Sequence, residues 1–321
     1  MKEKEYYSKT GFVSSTSIGY FDKSPSAFKA FIDGELKESE ASYQGYGKLV
    51  HLKLLEPFEY DSEVVPHEFN VPKSAQQKKF MDKYLELLGE SSTPALVAYK
   101  ESYSTKETDD KILEKANKLL EEFKPYREYL KLSKERTVIK KEVHEKIKES
   151  DRNARSHKLA NELLFGVSDI FDDGIHRAYN ELELYFINPE TKIKYKGMLD
   201  RIVIDNEAKT VTLVDVKTSN GVNAFKESFE KYNYARQLAF YEMLIKNNRK
   251  KLEIDEDYTI QFYIVAVSSI TSEVKVYNVQ SEVESARNGL ADTLAKIKWH
   301  FINDRWEHTS EYYNGDGSEK L

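Results

Sequence analysis

The sequence predicts an α/β fold: a helical N-terminal portion, residues 1–170, followed by a strand-rich part, residues 171–321. Three observations carry this reading. From Lys73 to about Gly166 the chain is charged, leucine-spaced and almost free of glycine, as helices are. After Gly174 it turns to runs of Val, Ile, Leu and Tyr broken by turn residues, as strands are. The order from there reads three strands, a helix, two strands and a helix. A chain of 321 residues accommodates two domains, or one large domain with an elaborated subdomain.

Residues 1–23 are polar and Ser-rich, and no element is assigned to them. Ser24-Pro25-Ser26 then opens a helix over 27–32, with Ser24 as N-cap and Pro25 at the first helical position, and Gly34 ends it. Residues 45–55 carry apolar side chains at helical spacing up to Glu56-Pro57, where proline prevents continuation; this helix bears His51. Further helices are expected near 73–89, 105–122 and 151–165. Residues 131–148 hold seven Lys and Arg against three Glu, a surplus of four. That run reads either as a solvated face or as an edge contacting phosphates.

Strands are expected over 178–187, 193–205 and 210–217, with Asn188-Pro189-Glu190 and Asp205-Asn206-Glu207 as the intervening turns, giving a three-stranded meander. Residues 232–246 have helical spacing, 258–268 and 273–279 read as strands, and 281–301 as a long amphipathic helix. There is no internal repeat and no low-complexity tract.

Composition narrows the chemistry. With 49 Lys and Arg against 55 Asp and Glu the formal charge is −6, and 40% hydrophobic with 32% charged residues describes a globular chain. No apolar run approaches a membrane span, and the opening MKEKEYYSKT lacks a secretion-signal core, so the cytoplasm is the expected compartment. Zero cysteines exclude disulfides, thiol nucleophiles, thiolate zinc sites and iron–sulfur clusters. Twenty-two Tyr and sixteen Phe serve a core first and base stacking second.

The residues that carry chemistry cluster on the meander. Asp215-Val216-Lys217 ends the third strand, and residues two apart on a strand share a face, so an acid and an amine converge. Asp200 ends Lys196-Gly197-Met198-Leu199-Asp200 on the neighbouring strand, where Gly197 permits a close backbone approach. Glu181 lies on the first strand, with Glu183 as the competing acid on the same face. Clustered carboxylates repel unless a cation neutralises them, which points to a divalent metal. Such a metal activates water and clamps a phosphodiester, and a nearby Lys neutralises developing charge, the logic of a metal-dependent nuclease. A lone D-x-K tripeptide says little; the apolar strand leading into it and the following helix, where Gln237 and Tyr241 share a face, give it weight.

These residues resemble the PD-(D/E)xK nuclease superfamily, and within it the RecE-type, exonuclease VIII-like enzymes of phages and prophages. Ser24-Pro25 with Phe28-Lys29 is similar to the family's N-terminal segment, and 46–51 followed by Leu54-Leu55-Glu56-Pro57 to its histidine helix. Glu181 with Leu184-Tyr185-Phe186, then Gly197 and Asp200, Asp215-Val216-Lys217-Thr218, and Gln237 and Tyr241 resemble its motifs in order. Ile264-Val265-Ala266-Val267 and Trp306 also sit where the family has similar elements. Leu199 stands where the name-giving proline would be, and Asp215 where many relatives have Glu.

The resemblance implies a mixed central sheet flanked by helices, with His51, Asp200, Asp215, the Val216 carbonyl and Glu181 as metal ligands. It implies Mg²⁺, or Mn²⁺, and no iron–sulfur cluster. It further implies Lys217 acting on the attacking water, and Gln237 and Tyr241 contacting DNA or bracing the lysine. The implied activity is 5′-to-3′ degradation of one strand of linear double-stranded DNA for recombination, by a ring-forming homo-oligomer that cooperates with a single-strand annealing protein and involves no membrane. A net charge of −6 does not oppose DNA binding, since only a local basic channel is needed; Arg236, Lys226, Lys231 and the 131–148 run are its candidates. The competing readings are an endonuclease or a nuclease of other polarity, and a non-catalytic DNA-binding protein on the same fold.

Overall fold

The computed structural model describes residues 2–36, 42–170 and 173–318. Its β-structure comprises two short parallel strands, β1 (Val64–Pro66) and β2 (Thr137–Ile139), and a five-stranded mixed sheet. The sheet runs β3 (His176–Ile187), β4 (Lys194–Asp205), β5 (Thr210–Ser219), β6 (Thr259–Ser268) and β7 (Val274–Asn278), in that spatial order. All pairs are antiparallel except β5 with β6, which are parallel and joined through the helix Tyr234–Asn247.

The turns follow from side-chain chemistry. Asn188 Oδ1 accepts the amides of Glu190 and Thr191, and Asp205 Oδ1 those of Glu207 and Ala208, so each tip is closed by its own Asx side chain. Ser24 caps the helix Pro25–Ile32 by accepting the Ala27 amide, with Pro25 in its first turn. The Ser-rich beginning also folds: Ser14 and Ser17 form a reciprocal capping box at the helix Ser15–Phe21. Val13 then lies beside β4, its amide donating to the Lys194 carbonyl and its carbonyl accepting the Lys196 amide. That segment occupies part of the edge that β4 exposes where β5 has diverged.

The chain divides into two compact units, 1–57 with 147–321 and 58–146. These units cut across the expected helical portion, 1–170, and strand-rich core, 171–321, which read as parts of one integrated catalytic domain. The reason is core membership rather than helix content: Val13, Ile18, Phe28 and Ile32 pack into the same apolar cluster as Leu184, Ile202, Leu213, Phe240 and Phe262 of the sheet and its helix. The smaller unit closes its own cluster with Phe80, Met81, Ala98, Ile112, Ala116 and Phe123 from three helices and the turn after them. No helix among the described residues is long and apolar enough to cross a membrane.

Candidate active site

The site lies where the sheet comes apart. β3 and β4 pair through Asn180↔Arg201 and resume at Leu182↔Leu199, so Glu181 and Asp200 face each other in register without pairing. Glu181 has φ 47°, a left-handed conformation that side chains rarely adopt and that costs about 1–3 kcal/mol. On the other side, β4 and β5 pair only as far as Arg201↔Val214, one position short of setting Asp200 opposite Asp215. Asp200 Oδ2 instead accepts the Val216 amide at 2.7 Å. Leu199 and Ile202 are both buried in the same cluster, so the strict alternation of β4 also breaks at this point.

Asp215 and Lys217 meet as the D-x-K spacing requires: Lys217 Nζ lies 2.6 Å from Asp215 Oδ2. Asp215 is 1% exposed, and despite that ion pair neither of its oxygens accepts a well-directed hydrogen bond. Burial pushes the Asp215 carboxyl up to about 6; Lys217 opposes the rise and Asp200 adds to it. Asp200 is raised in the same way, chiefly by burial, against Lys217 and the Val216 amide. Burial alone would lower Lys217, but Asp215 and Asp200 more than reverse this and keep it charged.

His51 comes from the helix Ser42–Leu55, its Nδ1 3.6 Å from Asp200 Oδ2. Two glycines allow helices to approach these strands. A Cβ on Gly47 would stand 2.9 Å from Thr218 Oγ1, and one on Gly197 2.5 Å from Leu244 Cδ1 of the helix Tyr234–Asn247. His51, Glu181 and Asp200 each offer a ligand atom within 4.8 Å of the others. Oxygen donors with one imidazole suit a hard divalent ion such as Mg²⁺ or Mn²⁺, and Asp215, with both oxygens buried and short of donors, fits a cation close by. Asp215 is nevertheless outside the three-residue group and ion-paired with Lys217.

Gln237 Nε2 donates to the Tyr241 hydroxyl at 2.9 Å, so the two act as one unit on their helix. Burial, with Asp215 and Asp200 nearby, raises Tyr241 well above the usual phenol value. Glu183 is engaged elsewhere, accepting from the Tyr185 hydroxyl with Lys9 Nζ at 3.7 Å. Among the basic candidates, Arg236 is held by Asp22 in a two-pronged pair, whereas Lys226 and Lys231 are exposed, the former 3.9 Å from Glu230. The run 131–148 falls almost wholly in the smaller unit. One neighbour of the site escapes motif reading: Lys217 Nζ stands 5.1 Å from the centroid of the Tyr234 ring. Its signal was its place three residues before Gln237, on the same helical face.

A structure from Eubacterium rectale, of a protein provisionally named an exonuclease, superposes over 99% of this chain and 94% of its own, with a TM-score of 0.50 at 11% identity. That likeness concerns the fold. The protein SSO0001 superposes over 69% of this chain and 86% of its own, with 15% identity and a TM-score of 0.23, too low to carry an argument. No curated protein matches the chain by sequence. The family model of the PD-(D/E)XK nuclease superfamily matches residues 13–309, nearly the whole length, and so takes in His51, the split strands and the Gln237 helix together. The chain belongs to the PD-(D/E)XK nuclease superfamily.

Proposed function

We propose that the protein is a metal-dependent exodeoxyribonuclease that degrades one strand of linear duplex DNA from its end in the 5′-to-3′ direction, leaving a single strand for recombination. The observation that carries the nuclease reading is the convergence of Asp200, Asp215 and Lys217 where strands separate, beside His51 and Glu181. The exonuclease reading and its polarity rest on the ordered resemblance to RecE-type enzymes, and the provisional name of the E. rectale neighbour agrees with an exonuclease.

His51, Asp200, Asp215, the Val216 carbonyl and Glu181 would hold a divalent cation, which would supply Lewis acidity at the phosphodiester. Lys217, kept cationic by its two carboxylate neighbours, orients the attacking water and offsets charge gathering on the phosphoryl oxygens. Water adds to phosphorus and the bond to one bridging oxygen breaks, giving a phosphomonoester and an alcohol. Asp215 holds the Lys217 ammonium in place, and the Gln237–Tyr241 pair braces the lysine or the strand. Exposed Lys226 and Lys231 approach the backbone phosphates, and Arg236 joins them only by leaving Asp22. A homo-oligomeric ring and a single-strand annealing partner belong to the same proposal.

The test is digestion of linear duplex DNA labelled separately at its 5′ and 3′ ends, with Mg²⁺ or EDTA, beside a closed circle and the Lys217→Ala variant. Release of the 5′ label from linear DNA alone, abolished by EDTA and by the variant, supports the proposal. Cutting of the circle replaces it with an endonuclease, and cutting of neither with a binding protein.

A further inference from the structure

Beside the split sheet four aromatic rings follow one another in a near-parallel column. Tyr277 lies 5.2 Å from Phe225 at 18°, Phe225 lies 6.0 Å from Tyr234 at 20°, and Tyr234 lies 5.8 Å from Tyr232 at 30°. The inner end is anchored, because the Tyr277 hydroxyl donates to the Val222 carbonyl at 2.6 Å. Phe229 supports the column edge-on, 6.2 Å from Tyr234. The outer end is open: Tyr232 is 55% exposed.

Local backbone geometry builds that open end. Asn233, between the two tyrosines, has φ 53° and ψ 44°, and turns the chain into the helix Tyr234–Asn247 without a side-chain cap. Had the helix run on, residues two apart would sit about 200° apart around its axis. The left-handed residue lets both rings stack instead. Asn suits this angle just past the helix Phe225–Lys231, and the turn seats Tyr234 against the core while leaving Tyr232 at the surface. The column also reaches the chemistry, since Lys217 Nζ is 5.1 Å from the Tyr234 centroid, and Lys231 Nζ is 5.3 Å from the Tyr232 centroid.

We propose that Tyr232 is the outer face of a base-stacking platform that holds an unpaired nucleotide of the DNA beside Lys217. An exposed ring ending a stack offers a π-face to any base once the Lys231 ammonium lying over that ring swings to the flanking phosphate. The ligand class is an unpaired deoxynucleotide frayed from a duplex end. Recognition of this kind tolerates any sequence, as progressive degradation of a strand requires. The inference rests on the nuclease reading above and adds to it the residue that receives the unpaired base.

The experiment uses the full-length protein and duplex DNA carrying 2-aminopurine at the terminal or penultimate position of one strand at a time. Binding is followed in Ca²⁺, and cleavage in Mg²⁺. The expected result is quenching of one terminal 2-aminopurine by the wild-type protein and by Tyr232→Phe. For Tyr232→Leu the quenching is lost, and the DNA concentration for half-maximal cleavage rises roughly 5- to 150-fold while kcat stays within about twofold. Because Tyr232 is exposed, the variants keep the fold, which circular dichroism checks. Normal wild-type cleavage with Tyr232→Leu unchanged in quenching and half-saturation overturns the platform and leaves the nuclease reading intact. Absence of cleavage by the wild-type protein overturns both.

Discussion

The Val216 amide donates to Asp200 Oδ2 at 2.7 Å, so a side chain takes the place of the strand partner that β4 stops supplying to β5 at Arg201↔Val214. Opening the ladder would leave a buried donor unpaired, at a cost of about 1–3 kcal/mol. Asp200 removes that cost and is thereby oriented, with one oxygen tied to β5 and 3.6 Å from His51 Nδ1. The same carboxylate satisfies the backbone and belongs to the candidate metal group.

Replacing Lys217 by Ala, or Asp200 or Asp215 by Asn, is expected to lower the rate of DNA cleavage by about 10²- to 10³-fold or more, as loss of one electrostatic stabiliser does elsewhere. Far-UV circular dichroism should be unchanged. Initial rates on end-labelled linear DNA measure the effect, and a variant cutting at near wild-type rate removes that residue from the site.

The metal-free protein should lose stability as pH rises. Asp215 titrates near 6 in the folded state and at an ordinary carboxylate value when unfolded, so between about pH 4 and 6 the folded state holds more protons. The stability contributed by neutral Asp215 is complete below pH 4 and is lost as pH climbs through 6. Thermal melts in EDTA at pH 4.5 and 7.5 should show this fall, and Asp215→Asn should flatten it. At pH 7.5 Mg²⁺ should raise the melting temperature again, the stabilisation amounting to about 2.7 kcal/mol at a concentration a hundredfold above Kd.

Glu181 separates strain from charge. Glu181→Gly removes the carboxylate and accepts φ 47° freely, whereas Glu181→Ala removes the carboxylate and keeps the strain. In EDTA, urea melts should find the Gly variant about 1 kcal/mol more stable than the Ala variant. Both should bind Mg²⁺ more weakly than the wild type, as calorimetry would measure. Equal stabilities would mean that this backbone angle is not held in solution.

Gly197→Ala places a methyl 2.5 Å from Leu244 Cδ1 and 3.1 Å from the Tyr241 ring. Because Leu244 is fully buried, the helix Tyr234–Asn247 must shift. The expected cost is about 1–3 kcal/mol in denaturant unfolding, with a matching loss of cleavage as the Gln237–Tyr241 pair moves.

Much of this architecture is legible in the amino-acid sequence alone. Apolar runs and Asx turns gave the meander to within two residues at each end, because those signals are local: Asn188 and Asp205 close their own turns. D-x-K spacing likewise brought Asp215 and Lys217 together, since strand alternation needs no tertiary knowledge. What stayed hidden depends on distant partners. The helix Ser15–Phe21 is polar in sequence and is justified by the sheet it covers through Ile18. Arg236, a candidate for the DNA channel by its charge, is paired with Asp22, a partner 214 residues away that no local signal reveals. The left-handed turn at Glu181 and the separate unit 58–146 have no local signature at all.

The distribution of the site along the chain bears on when during synthesis the site can assemble. Nearly half the sequence separates His51 from Asp200, with the whole of 58–146 between them, and β5 is covered only once β6 exists to pair with it in parallel. Contacts this remote form late, because the entropy of closing such loops precedes any reward. A nascent chain on the ribosome therefore carries no assembled site until synthesis has passed the last strands of the sheet.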